Sequence, residues 1–141
     1  MLIKDIMTRD VITLNIDDSF CKVADIFQKK NIRHLPVVNS QGEILGIISQ
    51  SDLNRIASPQ KKEQGDYLYS SEDLCKYVLG QHLIQKILTL SPEESLETAV
   101  ELMARMKLGC IPIVGPDGKV AGIVTPVDMM KLFLKDLRAS R

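Results

Sequence analysis

The sequence predicts an α+β fold in which one strand–helix–strand–strand–helix unit (βαββα) is used twice and the copies pack about a pseudo-twofold axis. Three observations predict it. Residues 11–56 align without a gap onto residues 87–132, with identical pairs at Thr13/Thr89, Leu14/Leu90, Ser19/Ser95, Pro36/Pro112, Gly42/Gly118, Gly46/Gly122 and Asp52/Asp128. Apolar residues recur at helical spacing at Phe20, Val23, Ala24 and Phe27, and again at Leu96, Ala99, Val100 and Met103. Each copy then carries two short apolar runs joined by a Gly-containing turn, which reads as a hairpin.

In chain order, Met1–Thr8 is a lead-in. Residues 10–14 read as a brief strand because Val11 and Ile12 are β-branched. Asp17 or Asp18 caps the first helix, and Ser91-Pro92 or Ser95 opens its copy. Residues 35–38 and 44–48 are strands around a turn at Asn39-Ser40-Gln41-Gly42; the matching turn is Gly115-Pro116-Asp117-Gly118-Lys119. These strands are nearly continuous apolar runs, so burial on both faces is expected. A closing helix follows each hairpin, short at residues 51–57 and longer in the copy, where Met129, Leu132, Phe133 and Leu137 form the apolar side. The resulting organisation is repeat 1 at residues 1–58, a linker at 59–81 and repeat 2 at 82–137. From the end of repeat 1 into the linker, residues 58–66 read as a solvated loop. Ser70 or Ser71 then opens a short helix with Leu74, Val78 and Leu79, stopped by Gly80.

Composition narrows the function. The chain has 141 residues, enough for one domain made of two halves that complete each other. Aromatics are only 4% and Trp is absent, so an aliphatic core is expected, and the composition argues against an aromatic platform for single-stranded nucleic acid. Lys+Arg and Asp+Glu are equal at 18 each, which gives no electrostatic case for nucleic acid or a membrane surface. Cys21, Cys75 and Cys110 are odd in number, lack metal-type spacing, and read as reduced thiols of a cytoplasmic protein. No signal peptide and no spanning segment is visible. His34 and His82 are far apart and lack partners at ligand spacing, so no metal site is expected. No nucleophile–base pair or Gly-rich phosphate loop appears, and the chain is not expected to be an enzyme.

The repeated residues resemble a tandem pair of CBS domains, a Bateman module. The resemblance is carried by the duplicated hydrophobic-Pro-Val/Ile-Val run at residues 35–38 and 111–114. It is carried equally by Gly-hydrophobic-hydrophobic-Ser/Thr-x-x-Asp at residues 46–52 and 122–128, and by Ile6-Met7-Thr8. The insert between the repeats resembles that of CBS proteins of acetoin utilisation. The family resemblance implies two clefts that bind adenosine compounds: AMP, ADP, ATP or S-adenosylmethionine, a triphosphate with or without Mg²⁺. It also implies that each cleft draws the Ser/Thr-x-x-Asp from one repeat and the lead-in and hydrophobic-Pro strands from the other. One cleft would then combine Thr8, Val11, Thr13, Ile32, Arg33 and His34 with Ile123, Thr125 and Asp128. The second would combine Ile84, Ile87, Thr89, Leu108, Gly109 and Cys110 with Ile47, Ser49 and Asp52.

The chemistry fits those residue types. A carboxylate at a strand-to-helix junction accepts from both ribose hydroxyls, and the neighbouring hydroxyl and free helical N–H groups hold a phosphate or ribose oxygen. Aliphatic walls with a few convergent polar groups suit a small ligand. The same spacing is also a capping-box pattern, and Thr125-Pro126 looks like a helix start; the two roles coexist. Arg55 and Lys131, three residues after each Asp, can pair with it, approach phosphate, or stay solvated. Thr8 and Arg33 are replaced by Ile84 and Gly109 in the copy, so the Asp128 cleft is expected to take the nucleotide and the Asp52 cleft to be weaker or to prefer an uncharged tail. The expected function is a ligand sensor that signals to another polypeptide and forms a homodimer through its repeat helices. A dimerisation or scaffold module that binds no nucleotide is the alternative.

Overall fold

The computed structural model describes residues 1–57, 60–61, 67–68, 75–76, 78–81 and 87–141. The chain forms two compact units, Ile12–Ile87 and Met1–Val11 with Leu88–Arg141. The lead-in therefore packs in the compact unit that contains the second repeat.

In the unit Ile12–Ile87, β1 (Leu14–Asn15) pairs in parallel with β2 (His34–Val38), and β2 pairs antiparallel with β3 (Ile44–Ser49). Helix α1 (Phe20–Lys29) crosses from β1 to β2, and α2 (Gln50–Ala57) follows β3 directly. The stripe Phe20, Val23, Ala24 and Phe27 is buried against Leu14, Leu35, Val37, Ile48 and Leu53, as its period requires. Gly42 takes a φ of 81° in the β2–β3 turn, the left-handed region where glycine is tolerated best.

Several expectations shift. The first strand starts at Leu14, because ladder pairing with Val37 and full burial of Leu14 outweigh the β propensity of Val11 and Ile12, the latter being exposed. The N-cap of α1 is Ser19, not Asp17 or Asp18; the Asp18 carboxylate is taken by the Asn15 N–H at 2.8 Å and by Lys22 at 3.1 Å. Burial on both faces holds for Leu35–Val37 of β2 but fails on β3, where Leu45 is exposed. Gln60–Lys61 (β4) pairs with Tyr67–Leu68 (β5) where a loop was expected. Residues 58–59 and 62–66 of that loop, and Ser70, Ser71 and Leu74 of the expected linker helix, lie outside the described residues. Gly80 sits within a 3₁₀ turn, Leu79–Gln81, with Leu79 fully buried.

Cys21 and Cys75 are joined in a disulfide, their Cα atoms 4.9 Å apart, which corrects the reading of both as reduced thiols. Spacing rules are blind to this pair, because the fold and not the local sequence brings the two together.

In the second unit, Leu90 pairs in parallel with Ile113, and helix α3 (Leu96–Met106) leads to the hairpin β6 (Ile111–Val114) and β7 (Val120–Val124). Ser95 is the N-cap of α3, its hydroxyl accepting from the Thr98 N–H at 3.3 Å, which decides between the two candidate starts. Leu96, Ala99 and Met103 are buried, whereas Val100, at the margin of the stripe, is exposed. The helix ends at Lys107, which takes the left-handed conformation with φ 54°.

The lead-in completes this unit. Thr8 forms an antiparallel bridge to Ile123 on β7, and Ile3 and Met7 are buried in the core with Leu90, Ile111, Ile113 and Val124. Gly122 permits the approach, since a Cβ there would meet Met7 Sδ at 2.7 Å and the Thr8 carbonyl oxygen at 2.8 Å. The final helix, α4 (Pro126–Ala139), packs Met129 and Leu132 on the core but leaves Phe133 and Leu137 exposed, together with Val127, Met130 and Leu134.

Candidate functional site

Both Ser/Thr-x-x-Asp signatures lie where a strand turns into a helix, and both Asp side chains fold back onto the turn. In the second unit Thr125 is extended and Pro126 opens α4, its fixed φ and missing N–H suiting the first helical position. The Thr125 N–H donates to Asp128 Oδ2 at 2.8 Å and the Thr125 hydroxyl donates to the same oxygen at 3.1 Å. Among the described residues nothing pairs with Asp128 Oδ1. The carboxylate is half-buried and oriented, with one oxygen left to accept.

The strand beside it is fixed by the lead-in. The Thr8 N–H donates to the Ile123 carbonyl and the Ile123 N–H to the Thr8 carbonyl, both at 3.0 Å. Five expected site residues, Thr8, Val11, Ile123, Thr125 and Asp128, thus share one unit. Thr8 is exposed and Val11 half-buried, but Ile123 is only 9% exposed and offers little surface as an apolar wall. Cys110 belongs to this unit too. Burial, reinforced by the Asp128 charge, pushes its thiol up to about 12, so it stays protonated and unreactive at neutral pH.

In the other unit the cap is closed more completely. The Ser49 N–H and hydroxyl donate to Asp52 Oδ2 at 2.8 and 2.9 Å, and the Asp52 N–H donates to Ser49 Oγ at 3.1 Å. Arg55 pairs with the remaining oxygen, Oδ1. His34 faces Ser49 across the β2–β3 ladder, and the Gln50 N–H donates to the Arg33 carbonyl at 3.0 Å, fastening residues 32–34 beside the start of α2. Burial pushes the His34 pKa below its ordinary value; the Asp52 charge opposes this and the Arg33 charge adds to it. Ile32 and Ile47 are half-buried, and Thr13 and Arg33 exposed.

The expected groupings therefore divide by unit. Thr13, Ile32, Arg33 and His34 lie in the unit of Asp52, and Thr89, Leu108, Gly109 and Cys110 in that of Asp128. Ile84 and His82 lie outside the described residues. Sequence reasoning gave no role to Met7 and Gly122, whose contact seats Thr8 against β7; the signal available was the glycine of the signature itself. Among the described residues no group of three or more His, Cys, Asp or Glu is placed to hold a metal ion. No described helix is long and apolar enough to cross a membrane.

A family model for the CBS domain matches residues 3–58 and 72–135, both repeats. The chain belongs to the CBS domain family. As a whole, this CBS pair resembles a Vibrio cholerae structure assigned provisionally to acetoin utilization (AcuB), with TM-score 0.80 and 25% identity over 99% of this chain and 95% of that one. It also resembles the CBS domain pair of protein MJ0100, solved in complex with 5′-methylthioadenosine and S-adenosyl-L-methionine. That match has TM-score 0.74 and 26% identity, covering 96% of this chain and 98% of the other. Among curated proteins it is 26% identical to the uncharacterized protein MJ1426 of Methanocaldococcus jannaschii, over 95% of this chain and 92% of that protein. It is 27% identical to an L-aspartate semialdehyde sulfurtransferase of the same organism. There the CBS pair spans 94% of its own length but only 23% of the enzyme.

Proposed function

We propose that this CBS pair senses an adenosine-containing ligand, AMP, ADP, ATP or S-adenosylmethionine, and passes the binding state to another polypeptide. The observation that carries the reading is the Asp128 carboxylate. It is clamped by Thr125 through one oxygen and free to accept ribose hydroxyls through the other. The complex of the MJ0100 pair with two adenosine compounds supports the ligand class. In this reading Asp128, Thr125 and Ile123, with Thr8 and Val11 beside them, form the stronger position. Asp52, Ser49 and Ile47 form the weaker one, because Arg55 already occupies Asp52. Thr8 supplies a hydroxyl and Arg33 a cation for phosphate, and Thr13, Ile32, His34 and Cys110 contribute to the walls. A triphosphate would carry Mg²⁺ with it. Ligand binding transmits a signal only if it favours one of two arrangements, and the reader of that arrangement is a partner protein in the cytoplasm.

Calorimetry on ligand-stripped protein with AMP, ADP, ATP, S-adenosylmethionine and 5′-methylthioadenosine tests this. Saturable heat with at least one supports the sensor, and none with all five rejects it.

One observation favours a second role that is compatible with the first. The face of α4 formed by Val127, Met130, Phe133, Leu134 and Leu137 is exposed and apolar. A second copy would bury this face about a twofold axis. Sedimentation of the wild type and of Phe133→Glu tests it, with a dimer expected for the first and a monomer for the second.

A further inference from the structure

Cys21 is the second residue of α1, and Cys75, its disulfide partner, lies in an exposed turn. The fold unites them by docking residues 78–80 on residues 16–19. Ser19 and Val78 form an antiparallel bridge, the Leu79 N–H donates to the Asp18 carbonyl at 3.0 Å, and the Gly80 N–H donates to the Ile16 carbonyl at 3.1 Å. Leu79 is fully buried beneath them. None of these contacts uses sulfur, so the reduced pair stays within bonding reach.

The two sulfurs are chemically unequal. Cys75 is exposed and open to an attacking thiolate, whereas Cys21 is half-buried in the first turn of a ten-residue helix. The positive end of the α1 dipole lies there, which favours a thiolate and makes Cys21 the better leaving group. Cys110 takes no part, being buried and held protonated.

We propose that Cys21–Cys75 is a thiol–disulfide exchange site, opened by a low-molecular-weight thiol and closed again by the corresponding disulfide. With glutathione as probe, its thiolate attacks the Cys75 sulfur. The Cys21–Cys75 bond breaks, a Cys75–glutathione bond forms, and Cys21 leaves with the electron pair and takes up a proton. A second glutathione thiolate attacks the glutathione sulfur, releasing Cys75 as thiolate and glutathione disulfide. Two electrons pass from two glutathione thiols to the protein, and the reverse sequence restores the bond. In a reducing compartment a disulfide with an exposed sulfur and a good leaving group is a switch rather than a permanent link. Closing the bond restrains the unfolded chain, so the oxidised form melts higher, by on the order of 5–10 °C.

The test equilibrates the full chain, free of adenosine ligands, in glutathione buffers of graded ratio, then traps free thiols with a maleimide in denaturant. For Cys110→Ser the expected result is one transition, from no labelled cysteine at the oxidising end to two at the reducing end. In Cys21→Ser, the oxidising end should leave a single glutathione adduct on Cys75. The wild type should show the same two-cysteine change above a constant Cys110 signal, so the result does not depend on any variant folding. Two labelled cysteines in Cys110→Ser at the oxidising end, or none at the reducing end, overturns the proposal. Either result leaves the ligand-sensing reading untouched.

Discussion

Arg55 reaches back along α2 to pair with Asp52 through Oδ1, the oxygen that the Ser49 cap does not use. Lys131 follows Asp128 at the same distance in sequence but is exposed, and among the described residues it makes no ion pair with Asp128. Two carboxylates that look equivalent in sequence, each held by the same kind of cap, thus differ in what they have left to offer a ligand.

The first consequence is a ranking. Asp128→Ala is expected to weaken binding of an adenosine compound by about 10–100-fold, the loss of charge-assisted hydrogen bonds to ribose hydroxyls. Asp52→Ala is expected to weaken it less. Both substitutions also remove a helix cap, at about 1 kcal/mol each, so denaturant unfolding accompanies the calorimetry and separates a stability loss from a binding loss. An equal or larger affinity loss at Asp52 reverses the ranking.

The second concerns Arg55 itself. Its side chain is 76% exposed, and such a pair contributes at most about 1 kcal/mol. Arg55→Ala should therefore leave the unfolding midpoint almost unchanged while freeing Asp52 Oδ1. In an Asp128→Ala background, where only the Asp52 position remains, the expected outcome is a several-fold gain in affinity. Unchanged or weaker binding in that background would show that Arg55 does not compete with the ligand.

What could be read from the sequence was whatever rests on period and duplication. Phe20, Val23, Ala24 and Phe27 declare a helix face because burial selects for 3.6-residue spacing, and Ser49, Asp52, Thr125 and Asp128 stand out because they recur in the same context. What could not be read depends on which of several adequate partners a group finds in space. Ser19 takes the cap because Asp18 is drawn to Asn15 and Lys22. Cys21 meets Cys75 because Leu79 anchors a distant segment beside α1. Thr8, next to the first repeat in sequence, pairs with Ile123 of the second, and no local pattern encodes that choice. Arg55 was recognisable as a possible partner of Asp52, but the pairing was one of three options that the spacing alone left open.

His34 gives a prediction in pH. Burial holds its folded-state pKa below the ordinary 6.5, the direct cost of charging a half-buried imidazole. Below that value the unfolded chain binds the proton more readily than the folded one, so stability falls as pH drops from about 6.5 toward the folded-state pKa. Above it the contribution is fully present. His34→Gln should flatten this part of the profile. Urea unfolding of both proteins at neutral pH and at about pH 5 measures the difference, and parallel losses in the two would remove His34 as its source.

Gly122 gives the sharpest prediction about how the candidate site is built. Its missing side chain lets the lead-in lie against β7, with Met7 Sδ and the Thr8 carbonyl at 2.7 and 2.8 Å from where a Cβ would sit. Met7 is 8% exposed, and its flexible thioether can swing aside, but the Thr8 carbonyl is backbone and is already bonded to the Ile123 N–H. Gly122→Ala must therefore push the lead-in strand away or bend β7, at a cost of about 1–3 kcal/mol. Because Thr8 and Ile123 exchange two backbone hydrogen bonds, the damage should appear first as faster hydrogen exchange at those two amides. The amides of Leu35 and Ile48, in the other unit, should keep their protection. If unfolding free energy and exchange at Thr8 and Ile123 are both unchanged, the lead-in is not seated on β7 as described, and Thr8 loses its place beside Asp128.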